Sequence, residues 1–282
     1  MTIDPDEYRA QSLATWGEMA PGWQDRREWM LNITGPINSW LVDKADPQSG
    51  QTILDIASGT GDLGFAVADR VGESGHVISS DFSPSMNEMA RRNGEARGLI
   101  NVEYRVLDAE KMDIDDDSVD AVVCRWGYML MADPAAALKE TKRVLRNSGP
   151  LAFAVWTTPD HNPWASVPAM TLVQRGYLPP PAPGAPGIFA MGDAARIREL
   201  VTNAGFAEPE LEEIPFAFHY GTFDDLWDTL VRIAGPLAHV INALPDDERI
   251  ATRAAIMQNV EPYRNPDGSY SAPAATWGVV AR

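Results

Sequence analysis

The stretch Thr52-Ile53-Leu54-Asp55-Ile56-Ala57-Ser58-Gly59-Thr60-Gly61 constrains this chain more than any other. An apolar run ends in a carboxylate and turns on two glycines. Leu63, Ala66, Val67 and Val71 then recur at helical spacing. A second apolar run, His76 to Ser80, ends in another carboxylate, Asp81. Strand, glycine turn, helix and strand in this order make a βαβ unit, which needs a parallel sheet with its faces covered.

The same alternation continues. Ser83 and Pro84 suit the cap and first turn of a helix that carries Met86, Met89 and Ala90 and stops near Gly98. Strands are expected at Val102–Leu107, Val119–Cys124 and Leu151–Trp156, with a helix opening at Asp133-Pro134. Beyond Trp156 the regularity breaks, because residues 178–187 hold five prolines and two glycines and suit neither helix nor central strand. A helix from Asp193 to Ala204, a strand from Glu210 to Phe218, helical segments over 222–262 restarting at Pro236 and Pro245, and a last strand from Ala274 to Ala281 follow. Before the first strand lie 45 residues of helical character, rich in tryptophan (Trp16, Trp23, Trp29, Trp40), with Pro21-Gly22 expected to split them into two helices. The fold expected is α/β, Rossmann-like and doubly wound, with a mostly parallel seven-stranded sheet, an N-terminal helical lid and helical cap insertions. The division expected is lid 1–45, core 46–156, cap excursion 157–192, core helix and strand 193–220, helical cap 221–267 and terminal core strand 268–282.

Charge narrows the partners. A formal charge of −17 opposes docking on a phosphate backbone or an anionic membrane, which favours a small-molecule ligand. Cys124 is the only cysteine, so no internal disulfide forms, and it lies in the apolar run Ala121-Val122-Val123 as a buried thiol. The N-terminus lacks the basic and apolar regions of a signal peptide, and no apolar run spans a bilayer. A cytoplasmic location is the expectation.

In an open parallel sheet, ligands bind beyond the C-terminal strand ends where strand order reverses. Gly59 and Gly61 let the backbone approach a ligand closely, and the following helix turns its free amides to it. Gly59-Thr60-Gly61-Asp62-Leu63-Gly64 also fits the dinucleotide pattern, and Asp81, 20 residues past Gly61, suits a ribose diol for either ligand. Two acids discriminate. Asp55, inside the first strand, would receive an amino-acid ammonium well and sit badly beside a pyrophosphate. Asp108, in Leu107-Asp108-Ala109-Glu110 after the third strand, can accept from an adenine amino group.

On these three motifs, in this order, the chain resembles a class I S-adenosylmethionine-dependent methyltransferase of the ubiquinone/menaquinone-biosynthesis-like small-molecule group. The resemblance covers about residues 50–156 well and the terminal strand more loosely. It implies S-adenosyl-L-methionine as cofactor. The methionine part would lie on Asp55, Ala57, Ser58, Gly59, Thr60 and Gly61, and the ribose on Asp81. Phe82, Ser83, Met86, Asp108, Ala109 and Glu110 would surround the adenine, with Arg125 and Trp126 near the methyl group. It also implies a final strand antiparallel between the fifth and sixth. The chain departs from the family where glycine is usual, at Ala57, and where cysteine is frequent, at Ser58.

The sulfonium activates the methyl group, so alignment and exclusion of water are the main tasks, with alignment alone supplying about 7–11 kcal/mol of the barrier. A hydroxyl acceptor would gain from a general base. His76 precedes a strand and faces the wrong edge, and His239 falls in the cap. His161 and His219 follow strands at the ligand edge and are the candidate bases for O-methylation. Trp16 and Trp23 are candidate cation–π partners of the sulfonium from the lid, whereas Trp29 and Trp40 read as packing. Asp115-Asp116-Asp117 lacks the spacing of a calcium loop and reads as a solvated turn, and no metal is expected. Trp164, Met170, Leu172, Tyr177, Ile188, Phe189, Met191, Trp227, Leu230 and Ile233 are candidates for an apolar acceptor pocket. Together these suggest O-methylation of an aromatic, quinone, polyketide or sugar-bearing acceptor. C- or N-transfer, an NAD(P)-dependent oxidoreductase and a non-catalytic binding module are the alternatives. No nucleic acid or membrane partner is expected, and a homodimer is left open.

Overall fold

In the computed structural model, residues 4–180 and 185–282 are described. Two helices, α1 (Pro5–Asp25) and α2 (Arg27–Ala45), precede β1 (Thr52–Ile56), α3 (Asp62–Val71), β2 (His76–Asp81), α4 (Pro84–Ala96), β3 (Val102–Val106) and β4 (Ala121–Arg125). Then come α5 (Pro134–Val144), β5 (Leu151–Trp156), α6 (Pro163–Gln174), α7 (Ala194–Asn203) and β6 (Glu210–Tyr220). The chain ends with α8 (Phe223–Ile233), α9 (Pro236–Asn242), α10 (Asp246–Val260) and β7 (Tyr270–Ala281).

The seven strands lie in the order β3-β2-β1-β4-β5-β7-β6. The first five are mutually parallel, and β7 runs antiparallel to both β5 and β6. The sheet therefore matches the expected architecture, including the reversed last strand. Order reverses between β1 and β4. Right-handed crossovers then put α3 and α4 on one face and α5 on the other, so that edge opens into a crevice. Strands β1, β4 and β5 are buried along nearly their whole length, as their continuous apolar runs require.

Pro21 and Gly22 do not divide the lid. Pro21 lies within α1, and the break falls at Arg26. Contacts with α4 and α8 hold α1 together across the proline. Gly22 serves that packing: a Cβ there would lie 2.4 Å from the Arg232 carbonyl oxygen of α8. The last strand starts at Tyr270 rather than Ala274, because pairing with β6 extends back to Tyr220. Of the proline-rich stretch, residues 181–184 lie outside the described residues, and the residues flanking them are in neither helix nor strand. No described helix is long and apolar enough to cross a membrane.

Candidate active site

A cavity of about 1700 Å³, open to solvent, occupies the crevice at the switch point between β1 and β4. Its floor is the loop after β1, with Ala57, Ser58 and Gly59, and the end of β4, with Arg125 and Trp126. One wall is Asp81, Phe82, Ser83 and Met86, continued by Asp108, Ala109 and Glu110. Trp16 and Trp23 of α1 close the top, their rings 6.4 Å apart.

The loop is built for close approach. Gly59 and Gly61 have φ of +56° and +93°, and Phe65 fills the space where a Cβ on Gly61 would stand. Ala57, at φ +54°, holds the same left-handed region with a side chain, a costly conformation for an L-residue. Trp126 does so too, at φ +63°, and strain in a bulky residue is a mark of functional sites. Its ring is stacked on Trp156 at 4.2 Å between centroids, and its Nε1 donates to Thr276.

Asp81 is set before any ligand arrives. Its Oδ2 accepts from the Gly59 amide at 2.9 Å and its Oδ1 from the Ser83 amide at 2.8 Å. Burial pushes its pKa up to about 6, with those two amides holding it from rising further. Each oxygen keeps a lone pair for a ribose hydroxyl. Asp108 accepts from the Glu110 amide, while Glu110 binds Arg9 of α1 and accepts from the Ala132 amide. Glu110 thus borders the cavity while tying the lid to the rim.

Asp55 sits one layer deeper than expected. It does not border the cavity, because α3 folds over it: a Cβ on Gly64 would lie 2.8 Å from its Oδ2. Neither oxygen has a hydrogen-bond partner of good geometry. Burial pushes its pKa up to about 8, against the opposing pull of the Arg125 charge and the Gly64 amide. Thr60 and Gly61 also stand behind the lining: Thr60 bonds Asp62 and Gly61 caps α3. Asp62 in turn is paired with Arg27 of α2 at 2.8 Å.

The two histidines do not reach the cavity. Along β6, Phe218 and Tyr220 point into it, so His219 between them points to the opposite face, where its Nδ1 meets Ser271. His161 turns outward to Glu213 at 2.8 Å with its side chain half exposed. His76 pairs with Glu103, away from the ligand edge, and Asp116 of the acidic turn pairs with Arg143. Trp29 packs on Phe218 and Tyr220, and Trp40 on Gly278.

Of the apolar candidates, Trp164, Ile188, Leu230 and Ile233 line the cavity. Leu172 and Met191 are instead interior core, Met170 is exposed, Tyr177 binds Glu248, and Phe189 and Trp227 pack against the core. Trp156, Phe218, Tyr220, Leu226 and Leu237 complete the apolar end. Sequence reasoning missed these five as lining. The alternation of β6 and the marked amphipathicity of α8 could have supplied three of them.

The orphaned polar atoms test the cofactor. Ser58 Oγ and Trp23 Nε1 are buried, unpartnered and belong to cavity-lining residues, and the Asp55 carboxylate lies just behind the same loop. An amino-acid nucleoside offers donors and acceptors for such groups. The residues fit S-adenosylmethionine.

A model of the ubiE/COQ5 methyltransferase family matches residues 37–166. The demethylmenaquinone methyltransferase of Clavibacter sepedonicus is 33% identical over 180 residues, which are 63% of this chain and 67% of that protein. The chain belongs to the ubiE/COQ5 methyltransferase family. It is an S-adenosylmethionine-dependent methyltransferase acting on a small molecule, which sets the oxidoreductase reading aside. The aklanonic acid methyltransferase DauC of a Streptomyces species (strain C5) is 35% identical over 118 residues, 42% of this chain and 54% of that protein. The YcgJ protein of Bacillus subtilis shares the fold, with a TM-score of 0.58 at 17% identity over 86% of this chain and 96% of its own.

Proposed function

We propose that this methyltransferase modifies a bulky, largely apolar aromatic acceptor of quinone or polyketide type, with transfer to oxygen. One observation carries the reading: the part of the cavity away from Asp81 is walled by Trp126, Trp156, Trp164, Phe218, Leu226 and Leu230. Trp164 lies 4.7 Å from Trp156 and 4.9 Å from Phe218, so the wall is nearly continuous aromatic surface. Flat rings gain both area burial and offset stacking on such a wall.

When bound, S-adenosylmethionine supplies the methyl group as an electrophile. The chain's part is to hold, orient and keep dry. Asp81 would hold the ribose diol, and Asp108 the adenine amino group. Asp55 would balance the ammonium from behind the loop, and Trp16 and Trp23 would cover the sulfonium. The lid is fastened on both sides: Tyr8 donates to the Leu130 carbonyl and Arg9 meets Glu110 at one end, while Gln24 and Asn93 exchange amide bonds at the other. Closure of this kind excludes water from the transfer.

Transfer to carbon is the second reading, favoured by relatives named as ubiquinone/menaquinone biosynthesis C-methyltransferases; the aklanonic acid relative is named for an acid as its acceptor. The test is incubation with methyl-carbon-13 S-adenosylmethionine and a panel of hydroxynaphthoquinones, hydroxyanthraquinones and small aliphatic amines. Product from the aromatic acceptors, with the methyl signal in the methoxy region, supports the proposal. A methyl on ring carbon replaces oxygen by carbon in it, and product from the amines alone overturns it.

A further inference from the structure

We propose that Arg125 is an anion receptor at the acceptor end of the cavity, so that the acceptor is methylated as a phenolate, enolate or carboxylate. This rests on the aromatic-acceptor reading and adds the charge state of the nucleophile.

Arg125 is half-buried at the end of β4, and no carboxylate oxygen lies within 4.0 Å of its guanidinium among the described residues. Its Nη1 donates to Thr34 Oγ1 and Asn38 Oδ1 of α2, both at 2.8 Å and both neutral. Nε and Nη2 have no acceptor among the described residues, yet they are not sealed from solvent, and the residue borders the cavity. The nearest acids are engaged elsewhere: Asp62 is paired with Arg27, and Asp55 sits behind the β1 loop under α3, where it would face the cofactor's ammonium. A partly desolvated cation with free donors and no counter-charge in reach is stabilised by a ligand that supplies one.

Everything else at this end lacks a base. The titratable groups bordering the cavity are Tyr8, Arg9, Asp81, Asp108, Glu110, Arg125 and Tyr220, and the three acids belong to the nucleoside wall. Tyr220 has an unpartnered hydroxyl, but burial pushes its ionisation well above the ordinary value, so it can hydrogen-bond an acceptor without deprotonating it at neutral pH. A weakly acidic hydroxyl would find nothing to take its proton, whereas an ionised one would find Arg125. The proton passes to water before transfer; the acceptor's lone pair then forms the bond to the methyl carbon as the carbon–sulfur pair returns to sulfur. Arg125 also stands at the aromatic end, 5.2 Å from the centre of the Trp126 ring.

Binding of 2-hydroxy-1,4-naphthoquinone, which is anionic at neutral pH, and of neutral 1,4-naphthoquinone is measured by tryptophan quenching with S-adenosylhomocysteine saturating. The intact protein is expected to prefer the anion by about tenfold or more. Arg125→Met abolishes the preference and leaves S-adenosylhomocysteine affinity within about threefold, on the scale of one lost contact or less. Asn38→Asp, which neutralises the cation with little change of shape, abolishes it as well and covers the case in which Arg125→Met does not fold. A preference that survives in the folded variants overturns the inference while leaving the aromatic acceptor standing. So does a tenfold loss of S-adenosylhomocysteine affinity in Arg125→Met, which would assign the cation to the cofactor. If the intact protein binds neither quinone, the aromatic-acceptor reading fails and takes the inference with it.

Discussion

Replacing Asp55 by asparagine gives the sharpest test of how the cofactor loop is built. The carboxyl is buried, lacks good partners and has its pKa pushed up from 3.8 to about 8. Between those values the folded chain keeps a proton that the unfolded chain releases. The group's contribution to stability is therefore fully present below about pH 4 and is lost as pH rises through about 8, at about 1.4 kcal/mol per pH unit. Asp81 is raised in the same direction, to about 6, but occurs in both proteins and cancels in their difference. Urea unfolding of parent and Asp55→Asn across about pH 5 to 9 should show the parent's advantage falling by roughly 3 kcal/mol between pH 5 and 7 and levelling off above pH 8. Saturating S-adenosylhomocysteine should flatten the slope, because its ammonium favours the ionised carboxylate. A difference constant within about 0.5 kcal/mol from pH 5 to 8 would refute the reasoning, since Asp55 would then be ionised in the folded chain already.

Asp81→Asn replaces an acceptor oxygen with a donor and should weaken S-adenosylhomocysteine binding by about 10- to 100-fold in calorimetry; unchanged affinity removes the ribose assignment. Gly22→Ala forces a methyl against the Arg232 carbonyl and should cost about 1–3 kcal/mol of stability, with faster amide exchange along α1; normal protection there would show that the lid does not depend on this contact. Ala57→Gly relieves a left-handed φ and should stabilise by about 0.5–1 kcal/mol in thermal unfolding, and destabilisation would contradict the strain. His161→Ala and His219→Ala should each keep the parent's kcat and its pH profile, since neither ring borders the cavity; a lower kcat with the acidic limb lost in either would restore a base to the reaction.

Much of the core was legible because it is local. Strands β1, β2 and β5 are apolar runs bounded by glycine, and Ser83-Pro84 and Asp133-Pro134 carry their own capping chemistry. The acids at strand ends could be located because strand ends in this fold share one edge. The side to which a residue at that edge turns was harder to read. His219 follows a strand at the ligand edge, as expected, yet the pleat sends it away from the cavity. Pro21-Gly22 looked like a stop and proved to be a helix-packing surface, because the Arg232 carbonyl that needs the glycine is about 210 residues away.

The order of short-range signals along the chain dictated the wound sheet, the glycine loop and the carboxylate at the end of β2, since each depends on neighbours a few positions apart. Burial needed the assembled molecule. Only there does α3 close over Asp55, and only there do α2, β4, β5 and α6 set a guanidinium with free donors beside a wall of indoles. Desolvation depends on every element packed around a group, and no window of sequence contains them all.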